Sequence, residues 1–349
     1  MSTFRAMNRR DLLKSVGAGA AAMAMSPFFS RALMGAESAA TKKILFFTKS
    51  SGFQHSSITR KSADALGVAE LALIDMGAKN GFEVTVSKDG SLFTPEYLAK
   101  FDALAFYTTG DLTKDSDKYK MNPKLGADGK PVKDAKGKVI LEKGELLYKE
   151  PGMGDAGKEA FLDAIKNGKG FMAFHSSTDS FHTKGHGHKE GELLRDLDAD
   201  GKDAFDPYIQ MIGGEFIIHG AQQPALLKCV DTKFPGAAGL DGDNFIEEWY
   251  SLKNFAPDLH VILTQHCEAM KGPMYQRKPY PETWARMHGK GRVFYTSMGH
   301  REDVWARPEF QAITVGAMRW ITGQVQVDVT PNIKEVTPDA DPKQWASTK

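Results

Sequence analysis

Four histidines stand at comparable points in the pattern of the chain. His175 closes the apolar run 171–174, His219 closes 216–218, His300 follows the run ending near 297, and His55 lies in the loop beyond 44–47. A short apolar run bounded by glycine and polar residues suits a strand buried on both faces of a parallel sheet. Strands of one parallel sheet end on the same side, and in open α/β sheets ligands collect there. The four imidazoles are therefore expected at one end of the sheet. Asp179 and Glu248 are expected beside them, the latter within Glu247-Glu248-Trp249-Tyr250. In a strand, one of the two adjacent glutamates would face the site and the other solvent.

Two chemistries suit this set, and spacing does not separate them because the residues are far apart along the chain. Imidazole exchanges protons near neutral pH and serves as general acid or base. Three histidines with a carboxylate also suffice for a divalent metal. A lone histidine at a strand end is more often a core residue bonded to backbone; several at equivalent ends favour a shared site. His175, Asp179, His219 and His300 are accordingly read as catalytic, and His55, Glu248, Trp249 and Tyr250 as substrate-contacting. If a metal is the cofactor, His175, His219 and His300 are its expected ligands.

Other chemistries lack their residues. There is no G-x-S-x-G, and the post-strand turn carries His175, although Ser176 and Ser177 follow it. Neither a G-x-G-x-x-G turn after a strand nor a Walker pattern occurs, so no nucleotide cofactor is expected. His182, His186 and His188 form H-x-x-x-H-x-H among glycines, which reads as a solvated loop rather than a zinc site. Cys229 and Cys267 make no disulfide framework, though one bridge stays open.

The elements that must position these residues read as an α/β domain. Strands are expected near 43–48, 82–87, 102–107, 171–175 and 292–297, with helices over 63–76, 153–167 and 308–322 between or after them. Strand and helix in alternation point to a mainly parallel, doubly wound sheet. Further strand-like runs fall at 225–230, 244–250 and 259–265. Residues 112–150, rich in Lys, Gly and Asp, interrupt the pattern and read as an exposed hairpin insertion. The stretch after Val327 reads as extended and poorly packed.

Asn8-Arg9-Arg10-Asp11-Leu12-Leu13-Lys14 precedes an Ala/Gly-rich apolar run, the pattern of a twin-arginine export signal over 1–40. The domain then spans 41–328, with a tail at 329–349. Without 1–40 the formal charge moves from +1 to −2. The chain lacks a basic stripe with interleaved aromatics, so nucleic acid is not an expected partner. No later stretch has the 18 or more apolar residues of a membrane span. Export through the translocase to the periplasm or beyond is the expectation; oligomeric state is left open.

The segments G-K-G-F-M-A-F-H-S-S-T-D, Y-I-Q-M-I-G-G-E-F-I-I-H, E-E-W-Y and G-K-G-R-V-F-Y-T-S-M-G-H resemble the ThuA-like (trehalose-utilisation) family over about 42–325. The resemblance implies a class I glutamine-amidotransferase-like, three-layer flavodoxin-like fold. It also implies a small-molecule carbohydrate substrate, a sugar or 3-keto-sugar. His175 stands where an amidotransferase carries cysteine, so glutamine hydrolysis is not implied. The alternative is a non-catalytic periplasmic sugar- or partner-binding protein on the same fold.

Overall fold

The structure, a computed structural model, describes residues 41–182 and 206–340. The export segment at 1–40, the histidines His186 and His188 and the last residues of the tail lie outside the described residues. β1 (Lys42–Phe47) places Ile44 and Phe46 in one apolar layer and Leu45 and Phe47 in the other. Both faces are covered, which is why the run is continuously apolar. α1 (Val68–Asn80) follows; Glu70 accepts from the Gly67 N–H at its start, and Gly81 ends it at φ +80°. β2 (Phe82–Ser87), α2 (Pro95–Leu98) and β3 (Ala103–Phe106) continue the alternation. Thr94 caps α2, with proline at its first position.

The expected insertion contains a hairpin of its own, β4 (Lys118–Pro123) against β5 (Leu141–Tyr148). Buried Glu150 ties its base to the sheet, 3.6 Å from Lys88 and 3.4 Å from Lys118. Lys49 Nζ donates to the Glu150 carbonyl at 2.6 Å. Burial pushes the Lys49 and Lys88 ammonium groups down to about 8, with the Glu150 charge opposing it.

The chain resumes with α3 (Gly154–Lys166) and β6 (Gly170–Phe174), then α4 (Pro207–Ile212) and β7 (Glu215–His219). β8 (Gln223–Cys229), β9 (Asn244–Glu247), β10 (Tyr250–Lys253) and β11 (His260–His266) follow. β12 (Tyr280–His288), β13 (Gly291–Thr296), α5 (Pro308–Ile321) and α6 (Ile333–Val336) complete it.

Nine strands make one mixed sheet in the order β2-β1-β3-β6-β13-β12-β11-β8-β9. β2 to β13 run parallel, as the strand–helix alternation requires. From β12 onward each strand is antiparallel to its neighbour. α1 and α5 contribute to one apolar layer, α3 and α4 to the other. Phe174 of β6 lies opposite Thr296 of β13, so the segments after both strands leave the sheet at one end.

Two expectations are corrected. The segment after Val327 is neither wholly extended nor loose: it carries α6, the Asn332 side chain exchanges bonds of 2.7 and 3.1 Å with the Val261 backbone, and Ile333 is buried. Cys229 and Cys267 are free thiols, so the bridge left open is not made.

Candidate metal centre

Where β6 ends, the chain turns through His175–Asp179, and His175 sits at φ +43°. A non-glycine residue held in the left-handed region is uncommon and clusters at functional sites. Tyr295 Oη donates to the His175 carbonyl at 2.8 Å, and the His175 Nδ1 lies 2.8 Å from the Ser297 carbonyl. That carbonyl can only accept, so the proton sits on Nδ1 and the Nε2 lone pair is left to point inward. His300 follows β13 beyond Gly299, whose φ of +113° only glycine adopts readily. His55 precedes the short turn Ser56–Ile58, and its carbonyl accepts from Thr59 Oγ1 at 2.8 Å.

Glu248 lies in the break between β9 and β10, and the residue before it organises the centre. Glu247 is fully buried and accepts three backbone N–H bonds, from Gly299 at 2.9 Å, Arg301 at 3.2 Å and Glu248 at 2.7 Å. One carboxylate thus holds both neighbours of His300 and the backbone of Glu248.

The Glu248 Oε2 lies 3.0 Å from His300 Nδ1, 3.4 Å from His175 Nε2 and 3.9 Å from His55 Nε2. One ligand atom from each of the four residues falls within 4.8 Å of all the others. A tetrahedral shell with bonds of about 2.0–2.2 Å separates its ligand atoms by roughly 3.3–3.6 Å. The observed separations bracket that spacing. His175 Nε2, His300 Nδ1 and His55 Nδ1 are all buried and make no well-directed hydrogen bond. Buried nitrogens without partners are costly unless something else satisfies them. The His300 Nε2 accepts from the Gln222 amide nitrogen at 2.9 Å, the Gln222 oxygen being held by Arg301 at 2.8 Å.

The protonation state suits a cation. Burial, then the charges of His175 and His300, push the His55 pKa down to about 2, so this imidazole is neutral at any ordinary pH. Burial works to raise the Glu248 pKa, but the neighbouring His175 and His300 imidazoles hold it well below the usual carboxylate range. The donor set is an ionised carboxylate with imidazoles around it, borderline-hard ligands of the kind zinc and its neighbours take.

The structure gathers most of the residues singled out in the sequence, in altered parts. His55, read as a substrate contact, joins His175, His300 and Glu248 in the inner group. His219, read as a ligand, stands outside it: its Nδ1 is 3.3 Å from the other Glu248 oxygen and its side chain is 42% exposed. Asp179 turns instead to His182 Nε2, whose Nδ1 meets Glu215 at 2.9 Å, so His182 is no solvated loop residue. Tyr250 lines the centre, its ring 4.1 Å from that of His175 and its hydroxyl 3.5 Å from His55 Nε2. Trp249 does not reach the site; it is a core residue whose indole donates to the Gln223 carbonyl at 2.8 Å. Neither glutamate of the pair faces solvent. Strand alternation does not reveal Glu247 as a positioning residue, because the strand breaks between Glu247 and Tyr250.

Fold and site together define a mixed α/β protein with an imidazole–carboxylate centre at the carboxyl ends of its parallel strands. The model of the ThuA family, trehalose utilisation, matches residues 198–321, which bears out the family resemblance read in the sequence. That segment holds Glu248 and His300, while His55 and His175 precede it. No curated protein matches the chain. Similar solved structures include a ThuA-like protein of Bacteroides uniformis ATCC 8492, 14% identical over 82% of this chain and 94% of that one, with TM-score 0.46. A ThuA-like protein of Parabacteroides merdae ATCC 43184 is 16% identical over 83% and 94%, with TM-score 0.49. The β-galactosidase of Rahnella sp. R3 is 13% identical over 80% of this chain and 31% of that one, with TM-score 0.40. At these scores the likenesses to single structures carry no argument.

Proposed function

We propose that the chain is an exported enzyme of carbohydrate metabolism, acting on a sugar or 3-keto-glycoside at a divalent-metal centre held by His55, His175, Glu248 and His300. The observation that carries this is the convergence of His55, His175 and His300 on the Glu248 carboxylate, with His175 Nε2 and His300 Nδ1 buried and lacking a hydrogen-bond partner. The carbohydrate side rests on the trehalose-utilisation family match, and export rests on the Arg9-Arg10 segment. The arrangement of helices on both sides of the sheet supports a three-layer, flavodoxin-like reading of the fold. A divalent ion in such a set supplies Lewis acidity towards a carbonyl or hydroxyl oxygen and acidifies bound water.

The chain's own groups do the rest. His219, half-exposed beside Glu248, is placed to take or give a proton at a substrate hydroxyl. Tyr250 and Tyr107 wall the imidazoles from the core side and fix their rings. The Ser297 carbonyl keeps His175 in the ligating tautomer. Turnover of a panel of 3-keto-glycosides, before and after chelation, tests the reading. We expect turnover that chelator abolishes and added zinc or manganese restores. Sugar binding without turnover, in protein that holds its metal, would instead favour the non-catalytic sugar-binding alternative.

A further inference from the structure

The approach to the centre has two sides of different chemistry. On one stands Phe53, 69% exposed, its ring 5.0 Å from that of His55 and nearly perpendicular to it. Phe53 is not on a loose loop. The Thr109 carbonyl accepts from Ser51 N at 2.9 Å and Gly52 N at 3.2 Å, and Thr109 Oγ1 donates to the Phe53 carbonyl at 2.7 Å. An aromatic ring is thus held out into solvent against a residue of the inner group. On the other side is a shallow cavity of about 340 Å³, lined by Ser56, Gln222, His300, Arg301, Glu302 and Asp303.

The charge on that polar side is already committed. Arg301 Nε and one terminal nitrogen donate to the two Asp303 oxygens, each at 2.9 Å, and its other terminal nitrogen donates to Gln222 Oε1 at 2.8 Å. A phosphate or carboxylate is bound by an uncommitted guanidinium fork. Here the fork is closed by Asp303, and Glu302 adds a second negative charge to the rim. Carboxylate, amide and guanidinium edges of this kind still accept and donate to neutral hydroxyls.

We propose that this approach is a subsite for a neutral glycoside, reaching the centre at His300 with an apolar C–H face on Phe53 and hydroxyls along Gln222, Arg301 and Asp303. It selects against sugar acids and sugar phosphates. The inference rests on the carbohydrate reading above and adds to it the charge class of the substrate and the residue that stacks it.

Titration calorimetry with trehalose and its 3-keto derivative as neutral probes, and glucuronate as the acidic one, tests it on the full mature chain. At least one neutral probe should bind and glucuronate should not. Phe53→Ala should weaken the neutral probe about tenfold and Phe53→Trp should keep it. Asp303→Asn, which frees the Arg301 fork, should admit glucuronate. Elemental analysis of the same samples separates the two readings, since Phe53 touches no metal directly. Metal present with unchanged binding in Phe53→Ala overturns the subsite alone. Metal absent with Phe53-dependent binding overturns the metal centre alone. Binding of no neutral probe, or of glucuronate as tightly as trehalose by the unaltered chain, overturns the subsite.

Discussion

Glu247 carries no chemistry of its own, yet it fixes where the chemistry stands. Its two oxygens take the N–H groups of Glu248, Gly299 and Arg301, so two of the four inner residues are placed by one buried side chain. Partners of this kind typically contribute 10–100-fold to metal affinity. Glu247→Gln keeps the volume but turns an N–H donor towards backbone donors. We expect its zinc dissociation constant, from chelator competition, to rise by about 10–100-fold with circular dichroism unchanged. An unaltered constant would show that Glu247 is structural only. His219→Ala should do the reverse, lowering kcat by about 10²–10⁴-fold with full metal content; loss of metal would place His219 among the ligands instead. The histidines were legible because each ends an apolar run. Their division of labour was not, since sequence says nothing of how far the 48–55 loop folds back, and that fold-back puts His55 inside the group and leaves His219 at its edge.

At the scale of elements, His182 joins the turn after β6 to β7, bridging Asp179 and Glu215. Burial alone would lower its pKa, but the hydrogen bonds it donates to those two carboxylates, with their charges, outweigh burial and raise it to about 9. The folded pKa thus exceeds the unfolded value of about 6.5. The stabilisation is fully present below about pH 6.5 and is lost as pH rises towards 9, by at most about 3 kcal/mol. Urea unfolding between pH 6 and pH 9 should show this decline, and His182→Gln should flatten it. An equal decline in the variant would assign the effect elsewhere. The parallel half of the sheet was legible because strand and helix alternate there and right-handed crossovers leave few arrangements. The antiparallel half was visible as strand-like runs but could not be ordered, since β11 finds both β8 and β12 beside it and neither neighbour is fixed by periodicity. The Glu247–Glu248 pair misled for a local reason: the run 244–250 is two strands, β9 in the large sheet and β10 paired with β7, and alternation lapses between them.

For the whole molecule, the centre joins four parts of the chain: the loop after β1, the turn after β6, the break before β10, and the segment following β13. The family match covers the last two of these and leaves His55 and His175 outside it, so the centre emerges from the fold rather than from one motif. A ligand bound by the folded chain alone stabilises it, by about 2.7 kcal/mol at a hundred times its dissociation constant. Chelation should therefore lower the melting temperature by several degrees, reversibly on adding zinc. The most direct measurement is elemental analysis of the protein purified without a histidine tag. About one divalent ion per chain is expected, retained through dialysis and lost in both Glu248→Ala and His175→Ala when these remain folded. A folded unaltered chain with no bound ion, taking up none from a slight excess of zinc, manganese or nickel, would contradict it.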